Sequence, residues 1–399
     1  MDLSLLSQSN LLYTQEKLSR YSPGGYHPVN LGDTFDNDRY EIHHKLGWGG
    51  SSTVWLARDR ERNLWVALKI MTATSSSIPQ ELQNLKFLES QCQGDLAANY
   101  IVQLLDTLTH KGPNGVHQCL VFELLGPSLD HVILDYHEGE EKLLPETVLR
   151  ISTQILKAVK FIHSAGMCHG DISGRNIAFS GTHLSKQTKE ELFETLGYPE
   201  IEPLERIDGT PLGNELPTQI IKAVEWIDWI DEDEEDIRVL DFGESFHQGQ
   251  EPQKLAQPGS LKVPETILTD RFDYVWTYGV QAARYIYATL FTVWPFWYLG
   301  EDEVLMFQMI GFVEELPVEW ESKYKSMMTK SSHDLEREEL LLILLEDEGT
   351  TRLEKKFAGL EPDPTLEPLL PVMQGLMRFL PSSRPTAEEA LEMLCKARD

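Results

Sequence analysis

The sequence predicts an α+β protein of two lobes, a small antiparallel-sheet N-lobe followed by a larger helical C-lobe. Three observations point there. Short runs of β-branched, aromatic and apolar residues crowd residues 40–124. Helix-period apolar spacing takes over after Gly126. Strands first and helices afterwards is the order of an α+β chain, not of an alternating βαβ sheet. The chain has 399 residues, enough to bury a sizeable core without disulfides.

Residues 1–25 read as a loosely held arm ending in Ser22-Pro23-Gly24-Gly25, so residues 1–39 are expected to be an arm and the start of the N-lobe. From Tyr40 the pattern is strand-like. Tyr40-Glu41-Ile42 leads into Lys45-Leu46, and Thr53-Val54-Trp55-Leu56-Ala57 follows a glycine turn. Leu64 to Ile70 follows across the polar stretch Asp59-Arg60-Glu61-Arg62-Asn63, which predicts an antiparallel meander. Leu82, Leu85 and Leu88 predict a helix over 81–89. Two short strands are expected near 101–105 and 119–123, closing an N-lobe of residues 40–124. Residues 125–399 are then the C-lobe. Its first long helix is expected over 143–165, with Val148, Ile151, Ile155, Leu156, Val159 and Ile162 on one side. The apolar stretch 275–300 reads as a buried core helix and not a membrane span, because Gln281 and Arg284 interrupt it and Pro295 breaks it.

Charge narrows the partners. Lys and Arg total 35 against 64 Asp and Glu, a formal charge of -29. That excludes nucleic-acid binding through overall basicity and favours a basic, Arg-rich partner. Within the C-lobe, residues 181–236 hold 16 acids and 4 bases, a net -12, and end in Asp231-Glu232-Asp233-Glu234-Glu235-Asp236. Such a block reads as a solvated, partly disordered insert or as a regulatory, substrate-attracting one. The acids at Glu301, Asp302, Glu303, Glu314, Glu315, Glu319 and Glu321 read either as ordinary surface or as a groove for arginine forks. Cys92, Cys119, Cys168 and Cys395 lack zinc or C-x-x-C spacing and are expected as reduced thiols. The N-terminus has no secretory pattern, and no basic cluster suits nuclear import. A monomer in the cytoplasm, with nuclear entry open, is the expectation.

Four motifs carry chemistry. Leu46-Gly47-Trp48-Gly49-Gly50-Ser51-Ser52-Thr53-Val54 sits between two strands, where glycines let backbone amides approach phosphates. Lys69 ends the apolar run Val66-Ala67-Leu68, and a lysine there needs a partner; phosphates and Glu81 would supply one. Cys168-His169-Gly170-Asp171-Ile172-Ser173-Gly174-Arg175-Asn176 puts an acid and an amide five apart in a tight loop, suited to orienting a hydroxyl and holding a metal. Val239-Leu240-Asp241-Phe242-Gly243 then delivers a second metal-binding acid before a glycine.

This ordered set resembles the eukaryotic protein kinases. More narrowly, Gly25-Tyr26-His27-Pro28-Val29-Asn30-Leu31-Gly32-Asp33, Lys45-Leu46-Gly47-Trp48-Gly49 and Ser52-Thr53-Val54-Trp55-Leu56 resemble the SR-protein-specific kinases of the CMGC group, as does a spacer before the metal-binding acid. The resemblance implies a bilobal kinase-like fold and Mg²⁺-assisted transfer from ATP to serine or threonine. It implies basic protein substrates, Arg-Ser-rich splicing factors among them, and no direct contact with nucleic acid or membrane. On it, Gly47, Gly49 and Val54 would cover ATP, and Lys69, paired with Glu81, would bind its α- and β-phosphates. Ala67 would line the adenine pocket, Phe122 would stand behind it, and backbone groups of Glu123 and Leu125 would bond adenine. Asp171 would be the catalytic base, with Asn176 and Asp241 holding magnesium. Val263-Pro264-Glu265 would end the activation segment, with Glu265 bridged to Arg384.

Four departures stand out. Gly170 replaces the arginine that collects a phosphate on the activation segment, and that segment, 244–262, contains only Ser245 and Ser260 as hydroxyl residues. Activity independent of phosphorylation there is expected. Ser173 replaces a phosphate-steadying lysine, and Arg175 is assigned to take over its charge. Asp273 is displaced by one from the position of an acid that ties down the loop. Lys262 stands where an arginine is usual. These departures keep two rivals open, a pseudokinase scaffold that binds ATP weakly or not at all and a small-molecule phosphotransferase on a kinase-like fold.

Overall fold

The computed structural model describes residues 3–73, 79–92, 94–229, 232–253, 255, 259–269, 274–298, 300–329, 350–360 and 363–396, with the side chains of 3 and 274–278 excepted. The expectation about Asp273 lies outside them. The chain divides into two compact units. The first is Met1–Phe87, Ile101–Pro127 and Ala178–Arg238, and the second Leu88–Tyr100, Ser128–Ile177 and Val239–Asp399.

The first unit is built on a six-stranded sheet of β1 (Thr34–Phe35), β2 (Tyr40–Gly49), β3 (Ser52–Asp59), β4 (Leu64–Met71), β5 (Leu104–Gly112) and β6 (Gly115–Glu123). Its order is β1-β2-β3-β4-β6-β5, antiparallel throughout. Alternate residues of these strands, among them Tyr40, Ile42, Trp55, Leu68, Ile70, Cys119 and Val121, form one buried cluster, as period-two side-chain direction requires. The strand expected at 101–105 lies mostly later. The Pro113-Asn114 turn sets Gly112 opposite Gly115, and that register draws the polar run Asp106–Lys111 into β5, where alternation with a paired neighbour outweighs composition.

Two expectations are corrected in this unit. The N-terminal arm is not loose: Leu6, Leu11, Leu12, Leu18, Tyr21 and Tyr26 are buried together with Leu204, Leu216 and Ile220. The acidic segment belongs with the sheet unit and not with residues 128–177, and its described residues are folded. Thr188 and Glu191 form a capping box over the helix Lys189–Leu196, whose Leu192, Phe193 and Leu196 pack with Leu56, Trp65 and Leu124. Ile201–Pro203 pairs antiparallel with Gln219–Ile221. Net charge concealed this, because most of the described acids lie on the outside while scattered apolar residues find partners in the arm, far away in sequence.

In the second unit the helix Pro145–Ser164 is central. It starts at a proline, which suits a first helical turn, and it buries Val148, Ile151, Ile155, Leu156, Val159 and Ile162. It packs on Tyr274–Phe291 and on Ala387–Lys396. Tyr274–Phe291 buries Ala282, Ala283, Ile286 and Ala288 completely and stops before Pro295. Among the described residues no helix is long and apolar enough to cross a membrane. None of the four cysteines forms a disulfide. Arg384 bonds Glu265 through both carboxylate oxygens at 2.7 Å and also donates to the carbonyls of Arg378 and Phe379. That is the buried bridge the resemblance implied.

Candidate active site

The expected site residues fall into two sets, one in each unit. In the sheet unit, β2 and β3 pair Gly47 with Val54, Trp48 with Thr53 and Gly49 with Ser52, leaving Gly50-Ser51 as the turn. An added Cβ at Gly47, Gly49 or Gly50 would meet no atom within 4 Å, so the loop presents bare backbone that a phosphate could approach. β4 sets Lys69 beside Val54 and Ala67 beside Phe122. The Lys69 ammonium contacts both oxygens of Glu81, at 2.8 and 2.7 Å. Glu81 lies in the first turn of the helix Gln80–Gln91. Both partners are buried, where a charge persists only in company. Phe122 is buried. The Glu123 amide already donates to the carbonyl of Gln103 at 3.2 Å, so of its two backbone groups the carbonyl is what an adenine could use. Leu125 opens the strand Leu125–Ser128.

In the helical unit, Asp171 and Asn176 form one knot. The Asn176 side-chain amide donates to the Asp171 backbone carbonyl and to its Oδ2, both at 2.9 Å. Both bonds use Nδ2, so Oδ1 is the acceptor Asn176 can turn to a cation. Asp171 Oδ1 is buried with no hydrogen-bond partner, an orphaned acceptor of the kind a substrate hydroxyl would satisfy. Burial, reinforced by Asp241 and Glu244, raises the Asp171 carboxyl to about 6 against the opposing Asn176 bond. His169 holds the loop to the residue before Asp241. The Asp171 amide lies 3.3 Å from its Nδ1, and its Nε2 is 3.0 Å from the Leu240 carbonyl. Complete burial lowers His169 to about 4, so it is neutral, and the two contacts require the proton on Nε2. Asp241 follows at φ 63° and ψ 69°, a left-handed conformation a non-glycine residue adopts at a cost. Phe242 is buried against His169, 4.7 Å between ring centres.

The departures acquire physical reasons. Gly170 has φ +86°, and a Cβ there would lie 2.0 Å from the Glu244 carbonyl. No arginine fits at this position without moving the backbone. Gly170→Ala should lower stability by about 1–3 kcal/mol, read as a fall in thermal midpoint; an unchanged midpoint would refute the close packing. Ser245 is buried and donates to the His169 carbonyl at 2.7 Å, so it braces the loop and is poorly placed for modification. Lys262 is paired with Asp302 at 2.6 Å and with Tyr298 at 3.1 Å. That pairing, with Glu314 accepting from the Phe379 amide and Glu321 from Lys325, engages three of the acids considered for an arginine groove. Arg175 is largely exposed, its guanidinium 4.0 Å from Asp130.

Asp130 was not foreseen. It sits in the first turn of Leu129–Glu138, where acids are common for dipole reasons alone, so its pattern gave no signal. One of its oxygens is buried without a partner, and burial raises its carboxyl to about 6 despite Arg175. A Cβ on Gly174 would collide with it at 2.1 Å, so the glycine makes room for this acid. Trp229 of the acidic segment was also missed. It covers Gly126, where a Cβ would lie 2.6 Å from its ring.

Known proteins fit this geometry. Residues 40–188 match the family described as Protein kinase domain. Protein kinase dsk1 of Schizosaccharomyces pombe is 38% identical over 167 residues, 41% of this chain and 30% of that protein. Serine/threonine-protein kinase SKY1 of Saccharomyces cerevisiae is 39% identical over 171 residues, 41% and 23% of the two chains. Human SRSF protein kinase 3 is 37% identical over 168 residues, 41% and 29%. The chain thus spans less than a third of the length of these relatives. A crystal structure of a kinase domain superposes over 92% of this chain and 98% of that one, with a TM-score of 0.58 at 18% identity, which establishes the fold. Residues 40–188 thus match a protein kinase domain, and over 167 to 171 residues the chain is similar to these three kinases.

Proposed function

We propose that the chain is an ATP-dependent protein serine/threonine kinase acting on serines in basic, Arg-Ser-rich proteins. The observation that carries this is the orphaned, buried Oδ1 of Asp171 held beside Asn176. An acid fixed in that way can orient a serine hydroxyl and accept its proton. Lys69, steadied by Glu81, would clamp phosphate oxygens, and the bare glycine backbone would lie over them.

Asn176 and Asp241 would hold magnesium, which supplies charge neutralisation on the phosphates. The donor set fits: among the described residues no group of three or more His, Cys, Asp or Glu could hold an ion alone, and magnesium commonly takes one or two protein oxygens plus substrate phosphates. Arg175 could approach the transferred group, since it is exposed and only loosely paired with Asp130. Positioning and electrostatics would then do most of the work.

The substrate class is supported by the name of the SRSF relative and by the net charge of -29, which would attract arginine-rich chains. Radiolabelled ATP with an Arg-Ser repeat peptide beside a Glu-Ser repeat, choline and an aminoglycoside tests this. Label should enter the Arg-Ser peptide, and label in none of them would defeat the reading. Phosphatase treatment should leave the rate unchanged within about twofold, because Gly170 cannot receive a phosphate and Ser245 is buried. A rate abolished by the phosphatase would contradict that.

A further inference from the structure

Deepening the kinase reading and resting on it for its kinetic arm, we infer that the N-terminal arm positions the glycine loop, with Tyr26 and Arg20 as positioning residues for nucleotide. The arm doubles back at Ser22-Pro23-Gly24-Gly25. Gly24 has φ +85°, and a Cβ on Gly25 would lie 1.8 Å from the Arg20 carbonyl. The Gly25 amide donates to Ser22 at 2.7 Å and the Tyr26 amide to Arg20 at 2.9 Å. That reversal stacks the Arg20 guanidinium over the Tyr26 ring, 5.3 Å from its centre.

Both side chains then reach the loop. The Tyr26 hydroxyl donates to the Gly49 carbonyl at 2.6 Å, and the Arg20 guanidinium donates to the Gly50 carbonyl. Gly49 and Gly50 thereby gain partners on one side while their Cβ directions stay open. Glycine-rich backbone is the costliest to order, so two fixed donors remove much of its freedom before a ligand arrives.

The arm itself is anchored. Tyr26 is buried, edge-on to Tyr21 at 5.5 Å. The Tyr21 hydroxyl donates to Glu16 at 2.6 Å, and Glu16 pairs with the buried Lys45 of β2. Asn114 donates to the Tyr26 carbonyl at 2.7 Å and to that of Glu215 at 2.9 Å, and the Ala73 amide to the Gly25 carbonyl at 3.0 Å. The acidic segment covers the same apolar cluster through Leu204, Leu216 and Ile220. Arm and insert thus form one brace behind the loop, and the loop is its output.

The test compares the full chain with Tyr26→Phe, which removes one hydroxyl and keeps the ring, and with Arg20→Ala. Hydrogen exchange without nucleotide should accelerate about 3- to 10-fold at residues 46–53, the effect of one or two lost hydrogen bonds, with thermal midpoints nearly unchanged. KM for ATP should rise by a similar factor while KM for the Arg-Ser peptide stays put, a split that general loss of structure would not produce. Exchange at 46–53 within twofold of wild type in both variants would overturn the brace, whatever the activity. Faster exchange in a chain that transfers no phosphate would uphold it and sink the kinase reading instead.

Discussion

Asp171→Asn should lower phosphoryl transfer to an Arg-Ser peptide about 10²- to 10⁴-fold, the usual weight of a positioned general base, while nucleotide affinity changes little. The substitution is nearly isosteric. Its side-chain oxygen can still accept the Asn176 amide that now reaches Oδ2 at 2.9 Å, so the loop should keep its shape. What disappears is the proton acceptor. His169 keeps the backbone of residue 171 in place through Nδ1, since that contact is made by the amide and not by the carboxylate. The measurement is initial rate with radiolabelled ATP beside calorimetric titration with ADP. Wild-type turnover in the variant would show that Asp171 is not the base. An equal loss of nucleotide binding would show that the residue matters to folding and leave the chemistry elsewhere.

Arg384→Ala should destabilise the helical unit by about 3–5 kcal/mol, the range for removing one partner of a buried ion pair. Arg384 and Glu265 are both almost wholly buried. Removing the guanidinium strands the Glu265 carboxylate in a low dielectric and also strands the carbonyls of Arg378 and Phe379, which it now satisfies. Arg284 tempers the penalty only in part. It is fully buried near the pair, its guanidinium pushed down to about 9 by burial, and its own bonds go to the Ser260 and Lys262 carbonyls. It is too committed to replace Arg384 in geometry, though its charge still favours Glu265. The double change Arg384→Met with Glu265→Leu should recover much of the loss, because the desolvation cost goes with both charges. Chemical denaturation reads both variants. A single variant within 1 kcal/mol of wild type would mean that the pair is idle.

The part of this protein open to sequence reading was the part made of local pattern and rigid spacing. The strands from Tyr40 to Ile70 announce themselves by alternation, and the central helix was foreseen to within two residues of Pro145–Ser164. Asp171 and Asn176 stand five apart, close enough that one loop must bring them together. Glu265 and Arg384 are 119 residues apart and were recovered only because the whole motif order resembles a family. The pairing of Lys69 with Glu81 was read from a lysine closing an apolar run, and the structure shows the contact; resemblance added the phosphate-binding role.

Long-range burial was closed to that reading. The arm was read as loose and the acidic segment as solvated because neither has a face that is apolar enough on its own. Each completes the other: Leu11 and Leu18 are buried only because Leu204 and Ile220 meet them, nearly two hundred residues later in the chain. Asp130 escaped for the same reason, since what singles it out is a missing partner in three dimensions. Composition and spacing by themselves determined the strand-then-helix order, the chemistry-bearing loops and the acidic character, all of which depend on neighbours along the chain. Only the tertiary structure decided where the acidic segment docks, why Gly170 must be a glycine and what holds the glycine loop, because burial and collision are properties of atoms that sequence distance does not rank.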